Sequence, residues 1–372
     1  MSRPFVPVAA AVALHATILA LYLTAYHGDP SALVCVDQSQ IGTPPYEAVR
    51  VGFPSGGYDG QFYYAIARNP WRRHALVNEF GAFRHQRLLY PALGWLFSGG
   101  DPRLLLWVLP AINLLAIAGL AALGVCVARH NGMNVWWGFV LPLAVNDGLP
   151  LLRDLTDPLA TFTVCGLLAG WLLGWRNAWL VLWAAAAMLS REQNVAIVLV
   201  VLTVAVWTKW YRTAAGLGAA FAVWLVWFVI LRLWYGGWPL PPHGDYYFGS
   251  PFKGMLFRWT HLAYSGSRVS GLLHLLRMLL LTAHILLALY LAARLSDRVL
   301  ALVALAGVAL AVLTGIAAYE DANSYTRVFV WIPLGIWLAC IQLRSYRPMW
   351  LLVPALLWPL ITVATAWHSW RT

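Results

Sequence analysis

The side chains best suited to chemistry in this chain are one aspartate and a scattered set of arginines. In Gly56-Gly57-Tyr58-Asp59-Gly60-Gln61-Phe62-Tyr63-Tyr64 a lone carboxylate stands between glycines, which let a backbone approach a ligand closely. Asp59 there could act as a general base toward a nucleophilic hydroxyl, a role that contributes roughly 10²–10⁴-fold. Its position at the start of a helix also suits a capping carboxylate. Arg87, Arg153, Arg191 and Arg327 all adjoin apolar stretches. An arginine near the centre of a bilayer costs about 2.5–3.5 kcal/mol on insertion scales, and several together rival a typical net stability of about 5–15 kcal/mol. They must therefore face acids, a water-filled cavity or a bound anion. Arg153 and Asp157 have i,i+4 spacing and would pair on a helix, whereas Arg191 and Glu192 are adjacent and need outside partners. The excess of arginine over acid in this layer favours a phosphate, which the guanidinium fork grips in two places. Arg87, Arg153, Arg191 and Arg327 are accordingly the expected phosphate ligands. Tyr58, Gln61, His85, Asp157 and Glu192 are the expected substrate contacts around them.

The elements that must carry these residues are set by composition. Of 372 residues, 61% are hydrophobic and only 10% charged, against about a quarter charged in an average soluble chain. An all-α polytopic membrane protein follows, read as one transmembrane domain over 1–372. About eleven apolar runs are long enough to count as spans: 5–26, 104–128, 132–149, 157–175, 177–190, 193–208, 213–234, 271–293, 299–318, 327–343 and 348–368. The first is too long, and its end too poor a cleavage site, to read as a signal peptide. The net charge of +11 is almost all arginine, Lys209 and Lys253 being the only lysines. No basic block stands outside the apolar segments, so anionic lipid or phosphate is the expected partner and nucleic acid is not. Cys35, Cys126, Cys165 and Cys340 show no metal or disulfide spacing.

With a cytoplasmic amino terminus, short connections carry Arg129, Arg176, Lys209, Arg212, Arg294, Arg298, Arg344 and Arg347, as the positive-inside rule requires. The opposite face then holds two long loops, 27–103 and 235–270. In the first, Asp59–Asn69 reads as a short amphipathic helix lying along the interface. The second contains His243, Asp245 and Tyr246-Tyr247, which lack metal spacing and suit the shaping of an acceptor site. Residues 177–190 and 193–208 read as a hairpin with Arg191-Glu192 at its tip. The same outer layer holds Asn146-Asp147, Arg153-Asp154 and Glu320-Asp321, while Arg277 inside span eight reads as structural.

YDGQFYYAIA, followed by RHQRLLYPALGWL, resembles the first outer loop of bacterial membrane proteins of the GT-C glycosyltransferase superfamily, particularly cell-surface glycopolymer formation proteins. LLRDLTDPLATFTVCGLLAGWL, SREQN and YEDANSYTRVFVWIPL fit the same order. The resemblance implies a transferase that takes a sugar from a polyprenyl-phosphate carrier at the outer face of a bacterial inner membrane. The acceptor would be a glycan, lipid or protein. Asp59 would match the first-loop catalytic acid, with Arg87, Arg191 and Arg327 around the donor phosphate. Many relatives carry two acids in that loop, but Asp59 is followed by Gly60-Gln61. That pattern does not support a divalent metal, magnesium or manganese, bridged by paired carboxylates.

The residues agree in outline. No P-loop or GxGxxG sequence is present to hold a nucleotide sugar, and a phosphate leaving group needs cations more than a protonating acid. An inverting displacement with Asp59 as base is the expected chemistry. The main rival is a transporter or flippase of a lipid-linked saccharide, although the paired halves common in transporters are not visible. A non-catalytic assembly partner is the third reading.

Overall fold

The computed structural model describes residues 4–54, 56–74, 81–241, 244–262, 268–320, 324 and 327–371. His243 and Asp321 lie outside them. The described chain is overwhelmingly helical. Its strands are the two-residue pair β1 (Val36–Asp37) and β2 (Gly52–Phe53), joined in parallel.

Helix α1 (Phe5–Thr24) precedes the first long loop, which holds α2 (Gly60–Arg68), α3 (Gly81–His85) and α4 (Leu89–Ser98). The longest helix, α5 (Pro102–His130), starts where the Asp101 carboxylate accepts from the amides of Arg103 and Leu104 and Pro102 supplies a preset φ. Next come α6 (Trp137–Ala144), α7 (Gly148–Leu151), α8 (Asp157–Leu172), α9 (Asn177–Ser190), α10 (Asn194–Trp207) and α11 (Tyr211–Tyr235). Gly236, at φ +73°, closes α11 in the left-handed conformation that glycine adopts without strain. The second long loop carries α12 (Gly244–Tyr247) and α13 (Lys253–Thr260). It leads into α14 (Arg268–Ala292), α15 (Arg298–Leu313) and α16 (Ile316–Glu320). Trp331–Gln342 and Leu357–Arg371 are the last two α-helices.

Five segments are long and apolar enough to cross a membrane: Phe5–Thr24, Pro102–His130, Tyr211–Tyr235, Gly271–Ala292 and Arg347–Trp367. Five shorter apolar helices, Asp157–Leu172, Asn177–Ser190, Asn194–Trp207, Arg298–Leu313 and Trp331–Gln342, stand beside them. The expected run 132–149 is no continuous helix, because it divides into α6 and α7 with Asn146 at φ +60° between them. Residues 177–208 are two helices, not one, because the chain turns extended at Arg191. At about 1.5 Å per residue the 14-residue α9 is roughly 21 Å long, short of a layer of about 30 Å.

The main core is formed by α5, α6, α8–α11, α14, α15 and Trp331–Gln342. A second core builds the first loop. Tyr63, Tyr64, Ala65 and Ala67 of α2 pack with Tyr46, Tyr90 of α4 and Leu105 and Leu109 of α5. Every residue from Gly60 to Ala67 is buried. The expectation of an interfacial helix is thus corrected: α2 is covered on all sides, because α4 and α5 take the face that lipid would have met. Gly60 makes this seating possible. A Cβ there would lie 2.3 Å from the Arg153 carbonyl oxygen and 2.9 Å from that of Val34.

Gly60→Ala forces those backbones apart and is expected to cost about 1–3 kcal/mol. Gly218→Ala, in α11 with nothing within 4 Å of the new Cβ, is expected to be neutral or slightly stabilising. Unfolding midpoints of the purified variants in lipid check both.

Candidate functional site

Asp59 occupies the N-cap position of α2, yet its side chain makes no capping hydrogen bond. The carboxylate turns inward instead. Its Oδ2 accepts from Arg327 Nη2 at 2.8 Å and lies 3.1 Å from Arg84 Nη1. Arg327 Nη1 also lies 3.6 Å from Asp157 Oδ2, and Asp157 Oδ1 accepts from Arg191 Nη1. The expected Arg153–Asp157 helical pair is corrected by this: residues 153–156 are not helical, so the Asp157 carboxylate goes to Arg191 and Arg327. A parallel arrangement engages Arg87. Its Nε donates to Glu192 Oε2 at 2.6 Å, Nη2 donates to Oε1, and Nη1 donates to the Tyr63 hydroxyl. The Arg153 guanidinium carbon sits 4.5 Å, and that of Arg327 5.3 Å, from the Tyr58 ring centroid. The Tyr58 hydroxyl is 3.4 Å from Ser324 Oγ.

Several elements hold these groups in place. Asn113 of α5 donates to the Tyr90 hydroxyl at 3.0 Å and to the Leu155 carbonyl at 2.9 Å, tying α4 and the Asp157 segment to α5. Thr156 Oγ1 donates to the Ser190 carbonyl at 3.0 Å, and Asn194 Nδ2 to that of Ala187 at 3.0 Å. Both bonds fix the tip that carries Arg191 and Glu192. The second loop is strapped to the end of α15 by amides of Gly249 and Phe252, which donate to Leu313 and Val312 at 3.1 and 2.7 Å. Arg258, fully buried, donates to the Tyr319 carbonyl at 2.6 Å and to that of Glu320, closing the end of α16.

Together these segments enclose a cavity of about 550 Å³. Asp59, Arg84, Arg87, Arg191, Glu192 and Arg327 form one part of its wall. Trp224, Phe228, Leu240, Phe248, Leu310 and Val328 form an apolar part. Although the arginines are paired, Arg327 Nε and Nη1 and Arg191 Nε are buried without a hydrogen-bond acceptor. Burial alone would raise the pKa of Asp59, but Arg84, Arg327 and Arg87 outweigh it and hold the carboxyl well below its usual range. Glu192 is likewise held down to about 2, the attraction of Arg87 outweighing burial. Among the described residues no group of three or more His, Cys, Asp or Glu side chains is arranged to hold a metal ion.

Three expected substrate contacts and one expected phosphate ligand do not line the cavity. Arg153 lies against the Tyr58 ring, and Asp157 is taken up between Arg191 and Arg327. Gln61 is a structural link: its Oε1 accepts from the Asp37 amide at 3.2 Å and its Nε2 donates to the Gly56 carbonyl at 3.2 Å. His85 is fully buried between Trp227, Trp234 and Tyr235, with one ring nitrogen 3.0 Å from the Tyr235 hydroxyl and the other 2.9 Å from the Pro70 carbonyl. It does not line the cavity. Arg84 was not expected and does. Its spacing of three from Arg87 would place both on one side of a helical turn, the only sequence signal that could have preferred it to His85. The apolar wall gave no signal, since its aromatics resemble any interfacial aromatic belt. No family model, curated protein or solved structure matches the chain, so the functional reading rests on this geometry.

Asp157→Ala leaves Arg191 buried without its carboxylate and is expected to destabilise by about 3–5 kcal/mol. Glu47→Ala, which breaks a part-exposed bridge of 3.7 Å to Arg68, is expected to cost at most about 1 kcal/mol. Denaturation of both variants beside the wild type measures the contrast.

Burial, and then the nearby His74, push the His85 imidazole down to about 4, below the value of about 6.5 for an unfolded histidine. The unfolded chain therefore binds the extra proton first, and stability falls as pH drops from about 6.5 to 4. The pH dependence of the unfolding midpoint should flatten in this window in His85→Gln.

Proposed function

We propose that this protein is a membrane glycosyltransferase that moves a sugar from a polyprenyl-phosphate carrier to an acceptor hydroxyl. The setting is the outer face of a bacterial inner membrane, in cell-surface polysaccharide or glycolipid formation. One observation carries the reading: a single cavity joins two carboxylates and four guanidiniums to a wall of aromatic and aliphatic side chains. A polyprenyl-phosphate sugar has the same division, with an anionic headgroup on an apolar chain. The Nε–H groups of Arg191 and Arg327, which have no hydrogen-bond acceptor, are donors that a phosphate oxygen would satisfy, and each is worth most where water is excluded.

The chemistry follows from the charges. The acceptor oxygen attacks the anomeric carbon as the bond from that carbon to the phosphate oxygen breaks, and the electron pair leaves with the polyprenyl phosphate. Arginine N–H groups stabilise the charge gathering on that oxygen. Asp59 receives the acceptor proton, and attack opposite the leaving group inverts the sugar carbon. Arg84, Arg327 and Arg87 keep the unliganded Asp59 a weak base. A donor phosphate competes for Arg84 and Arg327, and the loss of their field raises the basicity of Asp59 when the substrate is in place. No step needs a metal ion.

Asp59→Asn is expected to lower transfer by roughly 10²–10⁴-fold while leaving donor binding intact. The assay uses the protein in lipid, a labelled polyprenyl-phosphate sugar and a panel of acceptors. Equal transfer by wild type and variant would refute the base assignment. Movement of the carrier between leaflets without transfer would favour a flippase, and retained anomeric configuration would exclude single-step displacement.

A further inference from the structure

Glu192 differs from the other acids of the cavity in place and in grip. Its side chain is 26% exposed, against 12% for Asp59 and 4% for Asp157. It stands at the connector between α9 and α10, on a cavity wall, and not on a packed helix face. Both of its oxygens are taken by Nε and Nη2 of Arg87, with Tyr63 on the remaining Nη1. That two-point contact is the one an arginine offers to a phosphate. Arg87 thus lines the cavity with its phosphate-gripping edge already occupied by a carboxylate of the same chain.

We infer that Glu192 is an internal occupant of the phosphate seat, which the phosphate group of the ligand must displace from Arg87. The inference rests on the phosphate-binding reading above and adds an ion exchange to it. Asp59 and Asp157 have short side chains held in the interior by two arginines each. Glu192 has one more rotatable bond, Arg87 as its ion-pair partner and a place on the cavity wall. A dianionic phosphate monoester, the form in which the carrier leaves, brings more charge to Arg87 than the carboxylate it replaces, whereas a monoanion such as the phosphodiester of the sugar donor or a monocarboxylate brings no more. Glu192 therefore sets a threshold that every anion must exceed to hold Arg87, and a phosphate monoester exceeds it most easily. It also keeps Arg87 from standing unpaired when the cavity holds no ligand, the situation that costs most for a buried charge.

The test uses the full chain in lipid nanodiscs, with farnesyl phosphate as the main probe and farnesoate, a monocarboxylate on the same tail, as the comparison. Removing the competing carboxylate in Glu192→Gln should tighten farnesyl phosphate binding at least tenfold. Farnesoate displaces the same carboxylate and should gain by a similar factor. Glu192→Asp, which keeps the charge on a shorter arm, should fall between wild type and Glu192→Gln. Binding to Glu192→Gln that is equal to or weaker than wild type would overturn the inference and make Glu192 a positioning partner of Arg87. The same holds if Glu192→Gln fails to fold and Glu192→Asp binds no tighter than wild type. If neither wild type nor either variant binds farnesyl phosphate, the phosphate-site reading itself fails, a result distinct from unchanged affinity.

Discussion

A carboxylate or guanidinium removed from water keeps its charge only beside an opposite charge, and this constraint organises the molecule. Arg327 is where it is met most economically. One guanidinium reaches Asp59 in the first loop and Asp157 at the start of α8, and through Asp157 it reaches Arg191 at the α9–α10 tip. Four separate stretches of chain are thereby joined by charge alone. Breaking any one pair leaves a buried ion, so the pairs act as a unit and fix how the connectors sit against each other. The same network leaves N–H groups on Arg191 and Arg327 without acceptors. Such incomplete satisfaction is unusual in a packed interior, and here it falls on two arginines that line a cavity.

The surrounding elements serve that arrangement. The chain places Gly60 where α2 must touch the Arg153 carbonyl, and buried Asn113 holds α4 and the Leu155 backbone at one distance from α5. Arg258 spends its hydrogen bonds on the carbonyls that end α16. Aromatic residues from α11 and the second loop then complete the apolar wall. The polar end is rigid because its charges are shared, and the apolar end is broad because no polar group there demands a fixed geometry.

Much of this was legible in the sequence, for identifiable reasons. Apolar runs announce helices in a membrane protein because only helices and closed barrels satisfy the backbone there, and arginines beside such runs announce a site because they are costly anywhere else. Arg87, Arg153, Arg191 and Arg327 were found on that ground and Asp59 as a carboxylate between glycines; the structure brings all but Arg153 onto one cavity. What the sequence hid was tertiary. The period of Tyr63 and Ala67 suggests a helix with one covered face, and nothing local says that α4 and α5 cover the other. Gln61 and His85 look like ligands because polar side chains near a candidate acid usually do, yet each is consumed by backbone groups. The partner of Asp157 was misread because i,i+4 spacing pairs residues only on a helix, and the chain turns before Asp157 with Asp154 at φ +45°.

The central claim is that these guanidiniums hold a phosphate beside an ionised Asp59. A cryo-EM structure of the full chain in nanodiscs saturated with a polyprenyl monophosphate tests it most directly. The predicted result is phosphate density within hydrogen-bond reach of Arg191 and Arg327, with the isoprenoid chain running along Trp224 and Phe228. Phosphate bound at any other place, with the Asp59, Arg84 and Arg327 contacts unchanged and the cavity empty, would contradict it.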